Sequence, residues 1–519
     1  MIERIKFSFF RDLYKVIKFY IKFILSKVTK MNYLWSFKFK KNSEDGNYKI
    51  LLFAPSMAID KPNFLNVGLR NLIEQGKKEN FDFYLLQCVS GLDICHLGGS
   101  PYSHKNKMPC NSCIKVNKHL YKDLNIINFS NIEFSSKYDL DNLSFNELIN
   151  YTYKNIEVGK LSHSSVSWIL RTSELNTSHK GYFIQTIKSS MKLINFLETI
   201  NLDSYDGVLV FNGISMPEAI LYNWCKSKKI NVATFEGGWS SKYSIEVNYK
   251  PTPQHFFKFT NRSLTEEENT KLAKFILDKR SGLKQFDEIK LPNKKIVSVF
   301  GNVSWDTSQF ISNDIFSSMF DWLNNLIPIT NKYEDYLFIF KSHPGENRKI
   351  KKTWYGLDVW FNNNSGSMND NVICFDANSK IDSYEIIENS DIVLVYNSTV
   401  GIDAASLGKK TLVAAKTHYT DLEFVNSYES KNSYLKNLND ILSLNNTSVS
   451  EKNQKMAKSY YYQLINNVSY DYDEIVQSLK FNEETLIKDY LIKDVKVDNL
   501  TKLLESFVKK SRLEKIYNN

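Results

Sequence analysis

Three short segments in the second half of the chain combine residue types that can handle an activated phosphate. Ser342-His343-Pro344-Gly345-Glu346 offers an imidazole, which near neutrality acts as a general acid or as a cationic partner of a phosphate. Pro344 fixes its own φ and restricts His343 to an extended backbone, so the ring is aimed. Asn397-Ser398-Thr399 sets an amide and two hydroxyls ahead of a run of small residues that includes Gly401, Ala404 and Ala405. A Ser/Thr pair there caps a helix, and the N–H groups with the helix dipole form an anion pocket. In the third segment Gly301 permits close backbone approach, while Asn302 and Asp306 suit a ribose, a sugar or water-bridged phosphates. Each segment also has a plainer reading: a core histidine, an ordinary cap, a turn anchored by Trp305.

In the first half, Glu236 ends an apolar run and is followed by Gly237-Gly238, which expose its carboxyl. The plainer reading of Glu236 is a turn or cap carboxylate.

A double series of strands and helices must position these groups. Apolar runs at 48–54, 81–88, 206–212 and 231–235 read as buried parallel strands. Helices are expected over 64–75 and 217–228, and 120–195 reads as mostly helical. After a charged helical connector at 262–290, strands are expected at 295–300, 336–341, 371–375, 391–396 and 411–415. Helices over 313–326, 384–389 and 400–407 separate them. This order predicts right-handed crossovers and parallel sheets. His343, the 397–399 segment and the 301–306 segment each follow a strand, which puts them at carboxyl ends, where open α/β sheets bind ligands. The expected fold is α/β: two doubly wound, Rossmann-like domains facing a central cleft. Their expected bounds are 46–265, with a cysteine-rich loop at 88–113, and 290–450. A basic amphipathic N-terminal arm at 1–45 and a helical segment at 451–519 flank them.

At 519 residues the chain exceeds one ordinary core, and 42% hydrophobic with 14% aromatic residues marks it as globular. Its formal charge of +10 is inflated by a general excess of Lys, Asn and Ile over Ala, Gly and Pro, and is concentrated in residues 1–41. From Phe9 onward, apolar residues three and four apart with lysines between them read as a basic amphipathic helix. Such a helix either lies on an anionic membrane surface or packs on the protein body. No apolar run of about 18 residues spans a bilayer, and no cleavage site marks a signal peptide. No helix-turn-helix, zinc finger or RNA-recognition signature points to nucleic acid. The expected location is the cytoplasm, with peripheral contact to the inner membrane.

Cys88, Cys95, Cys110 and Cys113 fall close together, with His96 and His104 among them. Cys110-Asn111-Ser112-Cys113 has zinc-knuckle spacing, but a second clean pair is missing. A structural zinc on Cys95, Cys110 and Cys113, a reduced cytosolic set and a redox pair all remain open.

His343-Pro344 after one strand and Ser398-Thr399 opening a helix after another resemble the GT-B glycosyltransferases that use CMP-sugars. These are the bacterial sialyl-, polysialyl- and Kdo-transferases of capsule assembly; teichoic-acid-type CDP-glycerol phosphotransferases share related features. FGNVSWDTS, KSHPGENRK, NSTVGIDAASLGKKTLVAA and VLVFNGISMPEAILYNWCKSKKINVATFEGG carry the likeness, which spans roughly 48–420. The resemblance implies an inverting, metal-independent glycosyltransferase with no required cofactor, taking sugar from a nucleotide-activated donor, CMP favoured. The acceptor would be a growing capsule or lipopolysaccharide glycan, free or lipid-linked. His343 would assist departure of the nucleotide phosphate, and Ser398 and Thr399 would bind it. The first domain would bind the acceptor, with Glu236 as base and Glu218, one helix earlier, as the reserve. The sialyltransferase-like pattern has a second acidic residue beside such a Glu, whereas Phe235 and Gly237 flank it here. Asp139-Leu140-Asp141 and Asp471-Tyr472-Asp473 have metal-binding spacing but lie away from the expected cleft. A CDP-glycerol or ribitol phosphotransferase and a non-catalytic assembly scaffold are the alternatives.

Overall fold

The computed structural model describes residues 48–55, 64–78, 81–96, 104, 108–130, 138–240, 244–248, 251, 259–281, 291–347 and 352–471. The basic arm at 1–45, with its amphipathic helix and membrane contact, lies outside the described residues. Among the described residues no helix is long and apolar enough to cross a membrane.

Two sheets organise the chain, and the class is the expected mixed α/β. β1 (Tyr48–Phe53), β2 (Phe81–Val89), β3 (Asn125–Ser130), β4 (Gly207–Phe211) and β5 (Val232–Gly237) run parallel, with β6 (Ser244–Asn248) antiparallel beside β5. The second sheet holds β7 (Lys295–Phe300), β8 (Tyr336–Lys341), β9 (Val372–Phe375), β10 (Ile392–Val395) and β11 (Lys410–Val413), all parallel. Its order is β11-β10-β7-β8-β9. Residues such as Ile50–Phe53 and Ile392–Val395 are wholly buried, because helices cover both faces of a parallel sheet and leave no polar side to alternate toward.

The differences from expectation have identifiable causes. Residues 125–130, within the stretch expected to be helical, form β3 on the edge beside β2. The helix expected over 313–326 runs Met319–Lys332, because Ser318 caps it by accepting from the Asp321 N–H at 3.0 Å. The final segment is helical over Glu451–Val468 and then forms β12 (Ser469–Asp471), which pairs antiparallel with β6. The first sheet is thereby completed, in the order β12-β6-β5-β4-β1-β2-β3, by chain that has already packed on the second half.

The connector helix Glu266–Ser281 is tied to the second half through Asp403. Lys279 Nζ lies 2.9 Å from its carboxylate, and the hydroxyls of Tyr384 and Tyr461 donate to it at 2.9 and 2.8 Å. Asp403 is 2% exposed, so its charge depends on these three donors. Asp403→Ala strands the donors and is expected to destabilise the second half by about 3 kcal/mol, visible as a lower thermal unfolding midpoint. Asp403→Asn, which keeps part of the network, should lose less.

Candidate active site

In the second sheet the chain proceeds from β7 to β8 and β9 on one side, then returns to place β10 and β11 on the other. Where strand order reverses, here between β7 and β10, neighbouring loops part and leave a crevice at the carboxyl edge. The segments 301–306, 342–346 and 396–399 leave this one edge, so the structure brings the three motifs together. Gln309 Nε2 donates to Asn397 Oδ1 at 2.8 Å, and Asn397 Nδ2 donates to the Ser308 carbonyl at 3.3 Å. Asn397 therefore laces the β10 loop to the β7 loop. The Gly301 N–H donates to the Lys341 carbonyl at 3.1 Å, joining β7 to β8.

His343 is half-buried and Pro344 exposed. His343 Nδ1 accepts the Gly345 N–H at 2.9 Å. Only an unprotonated ring nitrogen accepts, so the ring proton sits on Nε2 and the ring acts as a donor there. Ser398 is buried; its Oγ accepts from Val400 N–H at 3.3 Å, and its carbonyl accepts the Tyr419 hydroxyl. A Cβ on Gly401 would stand 2.5 Å from Tyr419 Oη, so the glycine makes room for that contact.

Two expectations need correction. Thr399 occupies the cap position of the helix Val400–Ser406 but makes no side-chain cap bond, and Ser398 supplies it instead. The space a side chain on Gly301 would need is taken by Leu357 Cδ1, 2.5 Å from the Cβ position. That glycine serves core packing. The sequence also passed over Glu346, which is 3% exposed and accepts the Leu357 N–H at 3.3 Å. Burial first, then the Asp358 charge, push its carboxyl up to about 8.

The first sheet repeats the reversal between β1 and β4. At this edge Asn212, in the left-handed region at φ 57°, donates its Nδ2 to Glu236 Oε2 at 2.6 Å. Its Oδ1 accepts the Ile214 N–H at 3.1 Å, so the turn after β4 holds the carboxyl at the end of β5. Burial drives the Glu236 carboxyl up to about 7, outweighing the Asn212 and Gly237 donors that pull it down. Two like charges add to the rise. Glu246 is directly opposite on β6, and Asp306 comes from the β7 loop of the other sheet. The charge of Asp306, on the β7 loop, thus reaches Glu236 at the end of β5. Sequence reasoning missed Glu246, ten residues along but adjacent through antiparallel pairing.

The helix Val158–Leu170 braces this arrangement. Its small serines let it lie close to the 214–216 turn: Ser164 Oγ donates to the Ile214 carbonyl and Ser165 Oγ accepts from Met216 N–H, at 3.0 and 2.7 Å. At its far end the Arg171 guanidinium stacks on Trp168, 5.2 Å away, and on Trp305 of the second half, 5.5 Å away. The Arg171 carbonyl accepts the Trp354 N–H at 3.0 Å.

Cys88, Cys95, Cys110 and Cys113 line one apolar cavity with Pro55 and Pro217. Among the described residues no three His, Cys, Asp or Glu side chains are grouped to hold a metal ion. The thiols are free, and burial pushes Cys88 and Cys113 up to about 12. His96 stacks on Trp168 and His104 meets Tyr182 edge-on. Glu218 is 1% exposed, beside Cys113; closed off from solvent, it does not serve as the reserve base.

No family model and no curated protein match the chain. Among solved structures, Thermosulfurimonas dismutans KpsC, a β-Kdo 2,7 transferase, is similar at 15% identity and TM-score 0.30, over 53% of this chain and 84% of that one. UDP-GlcNAc 2-epimerase from Neisseria meningitidis is similar at 13% identity and TM-score 0.25, over 89% and 100%. The N-terminal domain of Candida albicans trehalose-6-phosphate phosphatase is similar at 10% identity and TM-score 0.33, over 92% and 99%. Superpositions this loose assign neither family nor activity, and the fold class rests on the strand order itself.

Asn212→Gly keeps the left-handed backbone accessible but removes the donor to Glu236. The Glu236 carboxyl should then titrate about one pH unit higher, read by pH-difference infrared spectroscopy against Glu236→Gln. Glu346 binds its proton more tightly folded than unfolded, so stability should fall as pH rises from about 4.5 through about 8. Glu346→Gln should flatten that part of the curve of melting temperature against pH.

Proposed function

We propose that the chain transfers a glycosyl group from a nucleotide-activated donor, CMP favoured, to a hydroxyl of a growing bacterial surface glycan, with inversion and no obligatory metal. Residues 46–265 bind the acceptor and 290–450 the donor. The observation that carries this reading is the placement of Glu236. A carboxyl titrating at about 7 stands at the carboxyl end of β5, held by the turn after β4 and within reach of the Asp306 charge from the other sheet. A base with that affinity is matched to proton abstraction near neutral pH.

Glu236 takes the acceptor hydroxyl proton while the glycosyl–phosphate bond breaks on the opposite side of the anomeric carbon. Its Oε2 is held by Asn212 at 2.6 Å, while Oε1, engaged only by the longer Gly237 N–H bond at 3.3 Å, keeps a lone pair to receive the proton. The departing phosphate gathers charge at the edge of the second sheet. There the His343 Nε2–H donates to it, and the hydroxyls and N–H groups of Ser398 and Thr399 stabilise it. Asn302 Oδ1 and Ser342 Oγ, buried at this edge and without a hydrogen-bond partner among the described residues, fit a polar ligand. A CMP-activated donor presents a single phosphate to be stabilised at this edge. The motif resemblance to CMP-sugar enzymes supports the same choice. On this reading the protein works in the cytoplasm, at the inner membrane surface where such glycans grow.

Isothermal titration of the full chain with CMP, CDP, UDP and GDP is expected to show selective CMP binding. Selective CDP binding would instead indicate glycerol- or ribitol-phosphate transfer, and no binding a scaffold. Glu236→Gln should lower turnover by about 100- to 10,000-fold with nucleotide affinity unchanged. Full transfer activity in His343→Ala would refute the assignment of the leaving-group role.

A further inference from the structure

Glu236 and Glu246 form a cross-strand pair of carboxyls that the reaction described above uses only in part. They are partners in the antiparallel register of β5 and β6, so both side chains leave the same face of the sheet. Glu246 is 1% exposed, and the indole Nε1–H of Trp239 donates to its Oε2 at 2.9 Å. The ring of Trp239 is in turn backed by His418 of the second half, 5.3 Å between centroids, and His418 Nδ1 lies 2.6 Å from the Tyr460 hydroxyl. The indole thus fixes the orientation of the Glu246 carboxyl. Two acidic groups in one low-dielectric place resist ionising together, so charge held on one strengthens proton binding by the other.

We propose that Glu246 is a positioning residue that sets the basicity of Glu236: its carboxylate, fixed by Trp239 directly opposite on β6, makes Glu236 a stronger proton acceptor than a lone carboxyl at this edge. The inference rests on Glu236 being the base. The groups that face Glu236 are Asn212 from β4, Glu246 from β6 and Asp306 from the second half. The helix Phe64–Lys78 presents the apolar Leu65 to Gly237. Opposite Glu246 on its other side, β12 sets Ser469. When the acceptor O–H bond breaks, the proton goes to Glu236 Oε1 and the electron pair stays on the attacking oxygen. Glu246 exchanges no proton, and Glu236 returns its own to water after product leaves.

The test needs no substrate. Infrared pH-difference spectra of the full chain, with Glu236→Gln identifying the Glu236 band, give its titration midpoint. Glu246→Gln, which removes the charge but keeps the shape and an acceptor for Trp239, should lower that midpoint by about one pH unit. Glu246→Ala serves as the second charge removal should the first not fold, and Glu246→Asp, which restores a charge, should move the midpoint less. An unmoved midpoint in a folded charge-removing variant overturns the proposal. Because the readout is independent of transfer, the proposal fails or stands separately from Glu236 as base. If both hold, the acid limb of kcat/KM moves down in Glu246→Gln by the same amount, which a purely structural role would not produce.

Discussion

The constraint on which everything else depends is parallel pairing with a reversal of strand order. Each sheet starts with an inner strand, grows outward on one side, and then returns to grow on the other. The carboxyl ends of the parallel strands then share one edge, and the reversal parts two adjacent loops there. In the second sheet the parted loops carry Asn302, Asp306 and Ser398. In the first, the turn after β4 carries Asn212, beside Glu236 at the end of β5. No single motif creates the site; the strand order does, by bringing together loops far apart in sequence.

Desolvation then decides what the acidic residues can do. Glu236 has two hydrogen-bond donors, yet burial and two neighbouring carboxylates prevail and its proton affinity rises. Asp403, 2% exposed, meets a lysine and two tyrosine hydroxyls and becomes a structural anchor. The difference is the donor set: a carboxyl fully satisfied within the protein ties elements together, whereas one only partly satisfied keeps capacity for a substrate proton. Glu346 is of the second kind electrically but is closed beneath the His343 loop, where it holds the turn through Leu357.

Much of the framework was legible in the sequence. The apolar runs that became β1, β2, β4, β5, β7, β8 and β10 are continuous, because a strand buried on both faces has few polar positions to blur the signal. The edge strands of the first sheet were not legible. β3, with sequence NIINFS, is exposed at several positions, and β12 is only three residues long. The late start of the helix Met319–Lys332 reflects a cap at Ser318, which outweighed earlier residues that read equally well as helix. The packing of Leu357 against Gly301 was not legible, because a glycine admits a ligand or a neighbouring side chain alike and only the fold shows which side chain takes the Cβ space.

The sequence by itself determined the α/β class, the strands that precede His343, Asn397 and Gly301, and the end-of-strand position of Glu236. Those are local properties, set by apolar periodicity and by which residue follows the last buried position. The tertiary structure decided which of these groups meet. It set Glu246 opposite Glu236 through antiparallel register, turned Asn212 onto the same carboxyl and brought Asp306 across from the other sheet. It also withdrew Glu218 into the interior and put the four clustered cysteines around an apolar cavity. Register, crossover order and burial are relations between distant segments, and charge interactions fall off with distance rather than with separation along the chain. A carboxyl's proton affinity is therefore a property of the folded neighbourhood, while the strand that delivers it is written in the chain.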